Sequence, residues 1–426
     1  MEKKTLAALL WMWLGIAIYW GCENIFVALY FSSDLIIPPG EQSALFIGWL
    51  VAMSAIANIL GMWVSGPASD ACRMKLGRRR PYIMIGGILA GSIMMLFPLV
   101  KFFPTTPTKF AAALVIDCSM SFCGDLITGP RFALLTELTT PQDRATINGY
   151  LNIPNVLGMA FPVVIAGLSS SVMFMDSFFY VGGSFIIAST VSSSFLIKEP
   201  ARCEDQLSFR QYFRKAFTLM NYRSNKSFYR ALAGVALLAL GGSVFYPYMF
   251  PYIEKYIGLT GTTYLVAAAS ILLINLAVQI PIGKLSDKRG RKFIFKYILP
   301  IDGLALAMVF FIGPGDVVPL VLIGGPAITF YFTLKIVVQS WMQDLCPEDQ
   351  RASLFIYNTM ADVLMMAPGS LIGGLLLDTF TAGTTALYHP VIFLVAAMIM
   401  ASSAFVFVKI PESLKIEGLA QKDEIK

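Results

Sequence analysis

Three carboxylates interrupt long apolar stretches in the first third of the chain, and their chemistry is the binding and release of protons. Glu23 lies in the first stretch with Asn24 beside it, and Asp117 and Asp125 share a later stretch with Ser121. The i, i+4, i+8 spacing of the last three places them on one face of a helix. An ionisable group inside a membrane costs roughly 3 kcal/mol to insert and usually faces a cavity. The alternative is an ordinary contact between helices, satisfied by a hydrogen-bonding partner.

The apolar stretches that hold these acids belong to a larger set. A helix that crosses about 30 Å of hydrocarbon needs roughly 20 mainly apolar residues, and the backbone of an exposed strand would lack hydrogen-bond partners in lipid. Twelve stretches are long enough, at about 8–30, 44–66, 82–103, 110–133, 150–171, 177–197, 230–253, 262–283, 293–313, 317–338, 352–377 and 388–409. The sequence therefore predicts an all-α membrane protein with twelve transmembrane helices.

Composition and charge agree with this class. Of the 426 residues, 57% are hydrophobic and 14% are charged. The net charge of +6 does not indicate a nucleic-acid partner, because most of the 32 Lys and Arg lie in segments that the positive-inside rule assigns to the cytoplasm. The outward loops keep only Lys101, Lys109 and Lys255. We therefore expect a multi-pass protein of the plasma membrane with both termini in the cytoplasm.

A basic loop occurs twice, once in each half of the chain. Each copy has a glycine, then Ser-Asp, then a glycine followed by adjacent cations, and each joins two apolar stretches. The residues are Gly66, Asp70, Gly77, Arg78, Arg79 and Arg80 in the first copy and Gly283, Asp287, Gly290, Arg291 and Lys292 in the second. One short basic loop between membrane helices is common, but two in corresponding places indicate a duplicated bundle. We predict that the two loops form a cytoplasmic gate.

A second repeat follows the fourth and the tenth stretches. Pro-Gln-Asp-Arg-Ala-Thr begins at residue 141 and Pro-Glu-Asp-Gln-Arg-Ala-Ser begins at residue 347. Glu137 and Asp344 stand just ahead of the two prolines, and Arg144 and Arg351 follow them. We assign these four residues to the same gate and expect Arg78 or a neighbouring cation to pair with Glu137.

The two repeats divide the chain into halves of six helices each. We predict an N-terminal bundle at 1–197, a cytoplasmic linker at 198–229, a C-terminal bundle at 230–410 and a cytoplasmic tail at 411–426. Such parallel repeats are related by an axis along the membrane normal. Apolar and basic residues of the linker fall on different faces of a helix, which predicts an amphipathic helix on the inner leaflet.

These motifs resemble the major facilitator superfamily, whose signature loops follow the second and the eighth helix. Ser-Asp-x-Cys-x-x-x-x-Gly-Arg-Arg-Arg-Pro-Tyr-Ile at 69–83 is similar to the plant sucrose–proton symporters and their animal relatives, and more loosely to the melibiose-type sugar–cation symporters. Gly-Cys-Glu-Asn at 21–24 and Asp-Leu-Ile-Thr-Gly-Pro at 125–130 resemble segments of the same carriers. In two departures, the family's arginine falls one residue after Arg131 and its further acid falls on Ser121.

The resemblance implies the major facilitator fold, with two pseudo-symmetric bundles of six helices. It also implies a secondary transporter that moves a sucrose-like or glycoside-like sugar with protons by alternating access. Na⁺ is the alternative coupling ion. The alternative functions are an exporter or antiporter of drugs or lipids and a non-transporting membrane sensor.

Several functions and partners are not expected. The chain has no Gly-x-x-x-x-Gly-Lys-Ser/Thr phosphate loop and no long soluble segment for an active site, so we do not expect an enzyme. Its six cysteines and single histidine show no metal-binding spacing. We expect no cofactor, no metal and no nucleic-acid partner. The expected partners are a small-molecule substrate and the lipid bilayer, and the functional unit is expected to be a monomer.

The second half adds aromatic and charged candidates for a substrate site. Tyr246 belongs to a Tyr-Pro-Tyr segment that loosely resembles the seventh helix of the sucrose symporters, and Tyr331 and Lys335 share the tenth stretch. Aromatic rings beside polar groups suit a sugar, although interhelical hydrogen bonds are the alternative. The full set of proton or substrate candidates is Glu23, Asn24, Asp117, Asp125, Arg131, Tyr246, Tyr331 and Lys335. We expect Arg131 to lie close to Asp125 or Glu137, with snorkelling to the lipid headgroups as the alternative.

Overall fold

The part of the chain that the structure describes is almost entirely helical. The computed structural model describes residues 3–33, 36, 43–139, 144–166, 172–199, 209–211, 226–345, 351–381 and 388–412. No strand occurs among these residues, so the predicted all-α class is confirmed. The predicted amphipathic helix of the linker lies outside the described residues except for 209–211, as does the tail from residue 413 onward.

Six of the described helices belong to the first of two compact units, which spans Met1–Thr218. Their bounds are Lys3–Ser32 (α1), Ser43–Asp70 (α2), Arg80–Phe102 (α3), Thr106–Asp125 continued by Thr128–Leu138 (α4), Arg144–Ala166 (α5) and Val172–Leu196 (α6). Within this unit, α1 packs against α5 and α6, α2 packs against α4, and α3 packs against α4 and α6.

The second unit, Leu219–Lys426, repeats this arrangement internally. Its helices are Lys226–Tyr256 (α7), Gly261–Arg289 (α8), Arg291–Phe311 (α9), Val317–Met342 (α10), Arg351–Thr381 (α11) and Val391–Phe407 (α12). Here α7 packs against α11 and α12, α8 packs against α10, and α9 packs against α10 and α12. The same pairing in the same order is what duplication of one six-helix bundle produces.

The helices match the predicted membrane spans. Ten of them are long and apolar enough to cross a membrane. The other two predicted stretches are also helical, α5 with 23 residues and α12 with 17. At about 1.5 Å per residue, even α12 is roughly 26 Å long, close to the thickness of the hydrocarbon core.

Glycines allow α3 and α6 to approach each other closely. A Cβ atom added at Gly91 would overlap the carbonyl oxygen of Gly183, and one added at Gly183 would lie 2.5 Å from the carbonyl oxygen of Gly91. Small residues at a helix crossing bring the two backbones together, which is a main source of helix association in lipid.

A Gly91→Ala protein is therefore expected to unfold at a lower temperature than the wild type, with a loss of about 1–3 kcal/mol from overpacking. Gly283→Ala is the matched control, because a Cβ atom added there meets nothing within 4 Å. Thermal unfolding of the purified proteins in one detergent measures both changes. Equal unfolding temperatures for the two variants would contradict the close crossing.

Candidate functional site

Glu23 of α1 and Asp117 of α4 lie buried in the first unit. The Ser121 hydroxyl donates a hydrogen bond to Glu23 Oε1 at 2.5 Å, which joins α1 to α4. Glu23 is 7% exposed and Asp117 is 2% exposed. Glu23 Oε2 and Asp117 Oδ1 have no hydrogen-bond partner among the described residues. Each acid therefore has an oxygen atom free to take a proton in a site that contains little water.

Tyr19, which no motif marks in the sequence, also joins α1 to α4. The hydroxyl of Tyr19, fully buried one turn before Glu23, donates to the carbonyl oxygen of Met120 at 2.8 Å. A Cβ atom added at Gly124 would lie 3.0 Å from the Tyr19 ring, so the glycine allows α1 to pack on α4. The i, i+4 spacing of Tyr19 and Glu23 was the available signal, because it places both side chains on one face of α1.

Asp125 has a different environment from the other two acids. It ends the first segment of α4, and its Oδ1 accepts a hydrogen bond from the Thr128 hydroxyl at 2.7 Å. With its amide nitrogen facing the carboxylate, Asn58 of α2 donates to Asp125 Oδ2 at 3.1 Å and to the Ser121 carbonyl oxygen at 3.0 Å. A donor on each oxygen suits an ionised carboxylate, which only accepts hydrogen bonds. No motif marks Asn58 in the sequence.

Arg131 lies next to aromatic rings. Its guanidinium carbon is 5.4 Å from the centre of the Trp13 ring and 4.8 Å from that of Phe132. It interacts electrostatically with Asp125, although no ion pair between Arg131 and an acid occurs within the described ranges. Cation–π contacts of this kind stabilise a partly desolvated guanidinium. The structure thus places Arg131 in electrostatic contact with Asp125, and Glu137 has other partners.

Asn24 has a local partner. Its amide nitrogen donates to the carbonyl oxygen of Trp20 at 2.7 Å, one turn earlier in α1. This bond occupies a donor that a substrate would otherwise use. Asn24 therefore has less capacity for ligand binding than its position beside Glu23 suggested.

An ion pair bordered by aromatic rings lies in the second unit. Lys335 Nζ of α10 is 2.8 Å from Asp362 Oδ2 of α11, and the two side chains are 34% and 26% exposed. The Lys335 ammonium lies 5.6 Å from the centre of the Tyr331 ring. The Tyr246 ring packs edge-on against Phe332, with centroids 5.7 Å apart. Tyr331 and Lys335 are therefore neighbours along α10, Tyr246 of α7 packs beside them, and Asp362 cancels the charge of Lys335.

The first basic loop folds around two acids. Arg78 Nη2 lies 2.7 Å from Glu137 Oε1, so the predicted pair is present. Arg79 Nη2 lies 2.5 Å from Asp70 Oδ1 and 3.0 Å from Glu137 Oε1, and Arg79 Nη1 donates to Ser69 Oγ at 2.7 Å. This network ties the end of α2, the loop and the end of α4 together.

Glu199, which follows α6, caps the N-terminus of α3. Its carboxylate accepts hydrogen bonds from the backbone N–H groups of Arg78, Arg79 and Arg80 at 2.7, 2.9 and 2.7 Å. An anion at a helix N-terminus satisfies free N–H groups and the positive end of the helix dipole. Gly77 has φ +119°, and a Cβ atom there would lie 2.5 Å from the carboxylate, so only glycine fits.

Glu412, which follows α12, binds the second basic loop in the same way. It accepts hydrogen bonds from the backbone N–H groups of Arg291 and Lys292 at 3.2 and 2.9 Å. Gly290 has φ +91° and ends α8 just before this contact. Sequence reasoning missed this repeat because the acids lie about 120 residues from the loops they cap.

The remaining gate candidates are only partly described. Gly66 and Gly283 lie inside α2 and α8, and Arg144 and Arg351 begin α5 and α11. The side chains of four candidates lie outside the described part of the chain, namely Asp287, Asp344, Arg144 and Arg351. The predicted pairing of Arg291 or Lys292 with Asp344 therefore stays a prediction.

A Glu199→Ala protein is expected to lose about 2–3 kcal/mol of unfolding free energy, because three N–H groups lose a charged acceptor. Lys198→Ala is the matched control, since Lys198 is the exposed neighbour of Glu199. Thermal unfolding in detergent, with hydrogen exchange at the start of α3, measures the effect. Unchanged exchange at Arg78, Arg79 and Arg80 would show that the cap does not hold this helix end.

Sequence comparison relates this chain to one family and to one known transport protein. The family model described as Major Facilitator Superfamily matches residues 11–370. The sucrose transport protein SUC3 of Arabidopsis thaliana is 26% identical over 124 residues, which cover 25% of this chain and 20% of that protein. The chain thus aligns with about a fifth of the length of this relative.

Solved structures of transporters share the fold. A variant of the nucleoside transporter NupG superposes with a TM-score of 0.73 at 13% identity, over 95% of this chain and 99% of that one. A D-xylose-proton symporter gives 0.72 at 16% identity, over 96% and 99%. A bacterial homolog of the human lysosomal transporter Spinster gives 0.71 at 13% identity, over 96% and 95%. At these identities the likeness establishes the fold alone.

Proposed function

The chain belongs to the Major Facilitator Superfamily, and we propose that this membrane transporter carries a sugar together with protons by alternating access. The observation that supports proton coupling most directly is the burial of Glu23 and Asp117, each with one oxygen atom that has no hydrogen-bond partner in the part of the chain that the structure describes. An unpaired carboxylate in a dry site is energetically unfavourable, and a bound proton removes its charge. The acid then releases the proton when its site opens to water on the other side of the membrane.

The three acids of the first unit have separate roles in this proposal. Asp125 has a donor on each oxygen, from Thr128 and Asn58, and Arg131 supplies a positive charge nearby. These donors stabilise its ionised form, and the hydrogen bond from Asn58 holds the break in α4 against α2. Glu23 and Asp117 carry the transported proton.

A sugar fits the polar pair of the second unit. Lys335 and Asp362 offer a donor and an acceptor for hydroxyl groups without net charge, and the half-buried Tyr246 and Phe332 offer rings for the CH face of a sugar. The names of similar proteins point the same way, since one is a sucrose transport protein and another a D-xylose-proton symporter. A neutral polyol substrate is the class that these contacts favour.

The basic loops act as the cytoplasmic gate in this proposal. Partly exposed ion pairs contribute only about 0–1 kcal/mol each, so a connected network is needed to bias a conformational equilibrium. Arg79 supplies the connection, because it bonds Asp70 and Glu137 at once. The loops and both termini face the cytoplasm, and the monomer works in the plasma membrane.

Uptake by proteoliposomes tests the proposed function. The purified protein is reconstituted into lipid vesicles, and the external buffer is made acidic. The vesicles then receive labelled sucrose, maltose, glucose or xylose, with or without Na⁺. Labelled nucleosides are included because the fold is similar to that of NupG. We expect accumulation of a sugar that a protonophore abolishes and that Na⁺ does not change. Accumulation that requires Na⁺ would overturn the proposed proton coupling. Accumulation of nucleosides alone would overturn the proposed sugar substrate.

A further inference from the structure

Asp302 of α9 is fully buried and has no hydrogen-bond partner among the described residues. Its exposed fraction is 0%, and neither carboxylate oxygen has a hydrogen-bond partner in the described part of the chain. Asp302 lies eleven residues after Arg291, the first residue of α9. At about 1.5 Å per residue this is roughly 16 Å along the helix, near the middle of a hydrocarbon core about 30 Å thick.

The helices packed against this part of α9 offer no counter-charge to Asp302. The helix α12 has no ionisable residue, and the turn of α10 at Leu320–Gly324 is apolar. Among the titratable groups that the structure describes, Tyr331 of α10 interacts electrostatically with Asp302. The cation of α10, Lys335, is bound to Asp362 at 2.8 Å.

We propose that Asp302 is a second proton-binding site, occupied by a proton in this conformation. An ionised carboxylate without a donor or a cation is strongly disfavoured in a buried site, and a proton neutralises it without further ligands. A metal ion would need several oxygen or nitrogen ligands. No group of three or more His, Cys, Asp or Glu side chains that could hold one occurs among the described residues. The site is independent of the sugar and of proton transfer at Glu23.

Irregular helical turns lie near Asp302, where α9 and α10 are in contact. A π-helical turn at Ile294–Ile298 precedes Asp302 in α9, and another at Leu320–Gly324 in α10 packs against α9. Such turns interrupt the regular hydrogen-bond ladder and often occur at functional sites. The Tyr331 phenol can both donate and accept a proton, and it interacts with Asp302 and with the pair of Lys335 and Asp362.

Infrared spectroscopy of the protein in lipid tests the proposal without any substrate. We expect the wild type at neutral pH to show the carbonyl stretch of a protonated carboxylic acid, and we expect Asp302→Asn to lose the intensity of one such group. Asp316→Asn is the control, because it removes a carboxyl group from an exposed turn and is expected to leave this band unchanged. An Asp302→Asn spectrum with undiminished intensity in this band would overturn the proposal.

Thermal unfolding as a function of pH provides a second measurement. Asp302 is ionised in the unfolded chain at neutral pH, so the folded state binds one proton more and its stability must fall as the pH rises. From about pH 5 to about pH 8, the folding constant of the wild type is expected to fall relative to that of Asp302→Asn by up to about tenfold per pH unit. Parallel pH dependences of the two proteins would overturn the proposal. Asp302→Leu, which is also neutral, replaces Asp302→Asn if the latter does not fold.

Discussion

A Glu23→Gln protein is expected to exchange its substrate across the membrane but not to accumulate it. The glutamine carbonyl oxygen can still accept the hydrogen bond that Ser121 gives to Glu23 at 2.5 Å, but the amide cannot bind a proton. With one proton per substrate, a gradient of about two pH units supports roughly 100-fold accumulation, because each unit is worth about 1.36 kcal/mol. Uptake by the variant is expected to stop at equal concentrations inside and outside.

The control for this experiment removes a carboxylate elsewhere. Asp316→Asn changes an exposed turn between α9 and α10, where Asp316 Oδ2 accepts a hydrogen bond from the Gly313 N–H at 3.0 Å, and is expected to accumulate substrate normally. Asp117→Asn is expected to behave like Glu23→Gln. Wild-type accumulation by both Asp117→Asn and Glu23→Gln would remove these acids from proton coupling.

An Arg79→Ala protein is expected to be among the least stable single variants of the first basic loop. Arg79 is 6% exposed and contacts Asp70, Glu137 and Ser69 at 2.5, 3.0 and 2.7 Å. Loss of one partner from a buried ion pair costs about 3–5 kcal/mol, and the partial exposure of the two acids lowers this to about 2–3 kcal/mol. Thermal unfolding in detergent measures the loss.

Two further variants distinguish the network from the charge alone. Arg73→Ala makes the same substitution at an exposed position of the same loop and is expected to unfold like the wild type. Arg79→Lys keeps the charge but loses the planar fork that reaches several acceptors at once. Its stability should therefore lie between that of Arg79→Ala and that of the wild type. If Arg79→Ala proves as stable as Arg73→Ala, the network does not hold the ends of α2 and α4 together.

The fold could be predicted because its signals are local. The length of an apolar stretch, the charge of the loop beside it and the recurrence of both in each half are all properties of short segments. These signals are sufficient to predict twelve helices and their division into two similar bundles. They do not fix the residue at which a helix breaks, so the position of the break in α4, directly after Asp125, was not predicted.

The candidate site could be predicted only in part, because its contacts depend on how helices cross. The spacing of Asp117 and Asp125 placed both on one face, but the bond between Glu23 and Ser121 depends on the approach of α1 to α4. Asn58 reaches Asp125 from α2, a helix with no acidic residue of its own before Asp70. No motif marks Asp302 in the sequence. Its significance comes from the absence of a hydrogen-bond partner among the described residues of the folded protein.

The caps formed by Glu199 and Glu412 bear on how the protein is made. Each acid follows the last helix of its unit and holds the beginning of the third helix, so the hydrogen bonds of that third helix are completed only when the final residues of the unit have been synthesised. Membrane and soluble chains alike emerge from the ribosome N-terminal segment first, and domains generally fold as units in that order. Synthesis of Glu199 therefore sets the earliest moment at which the first six helices can close, well before the second six exist.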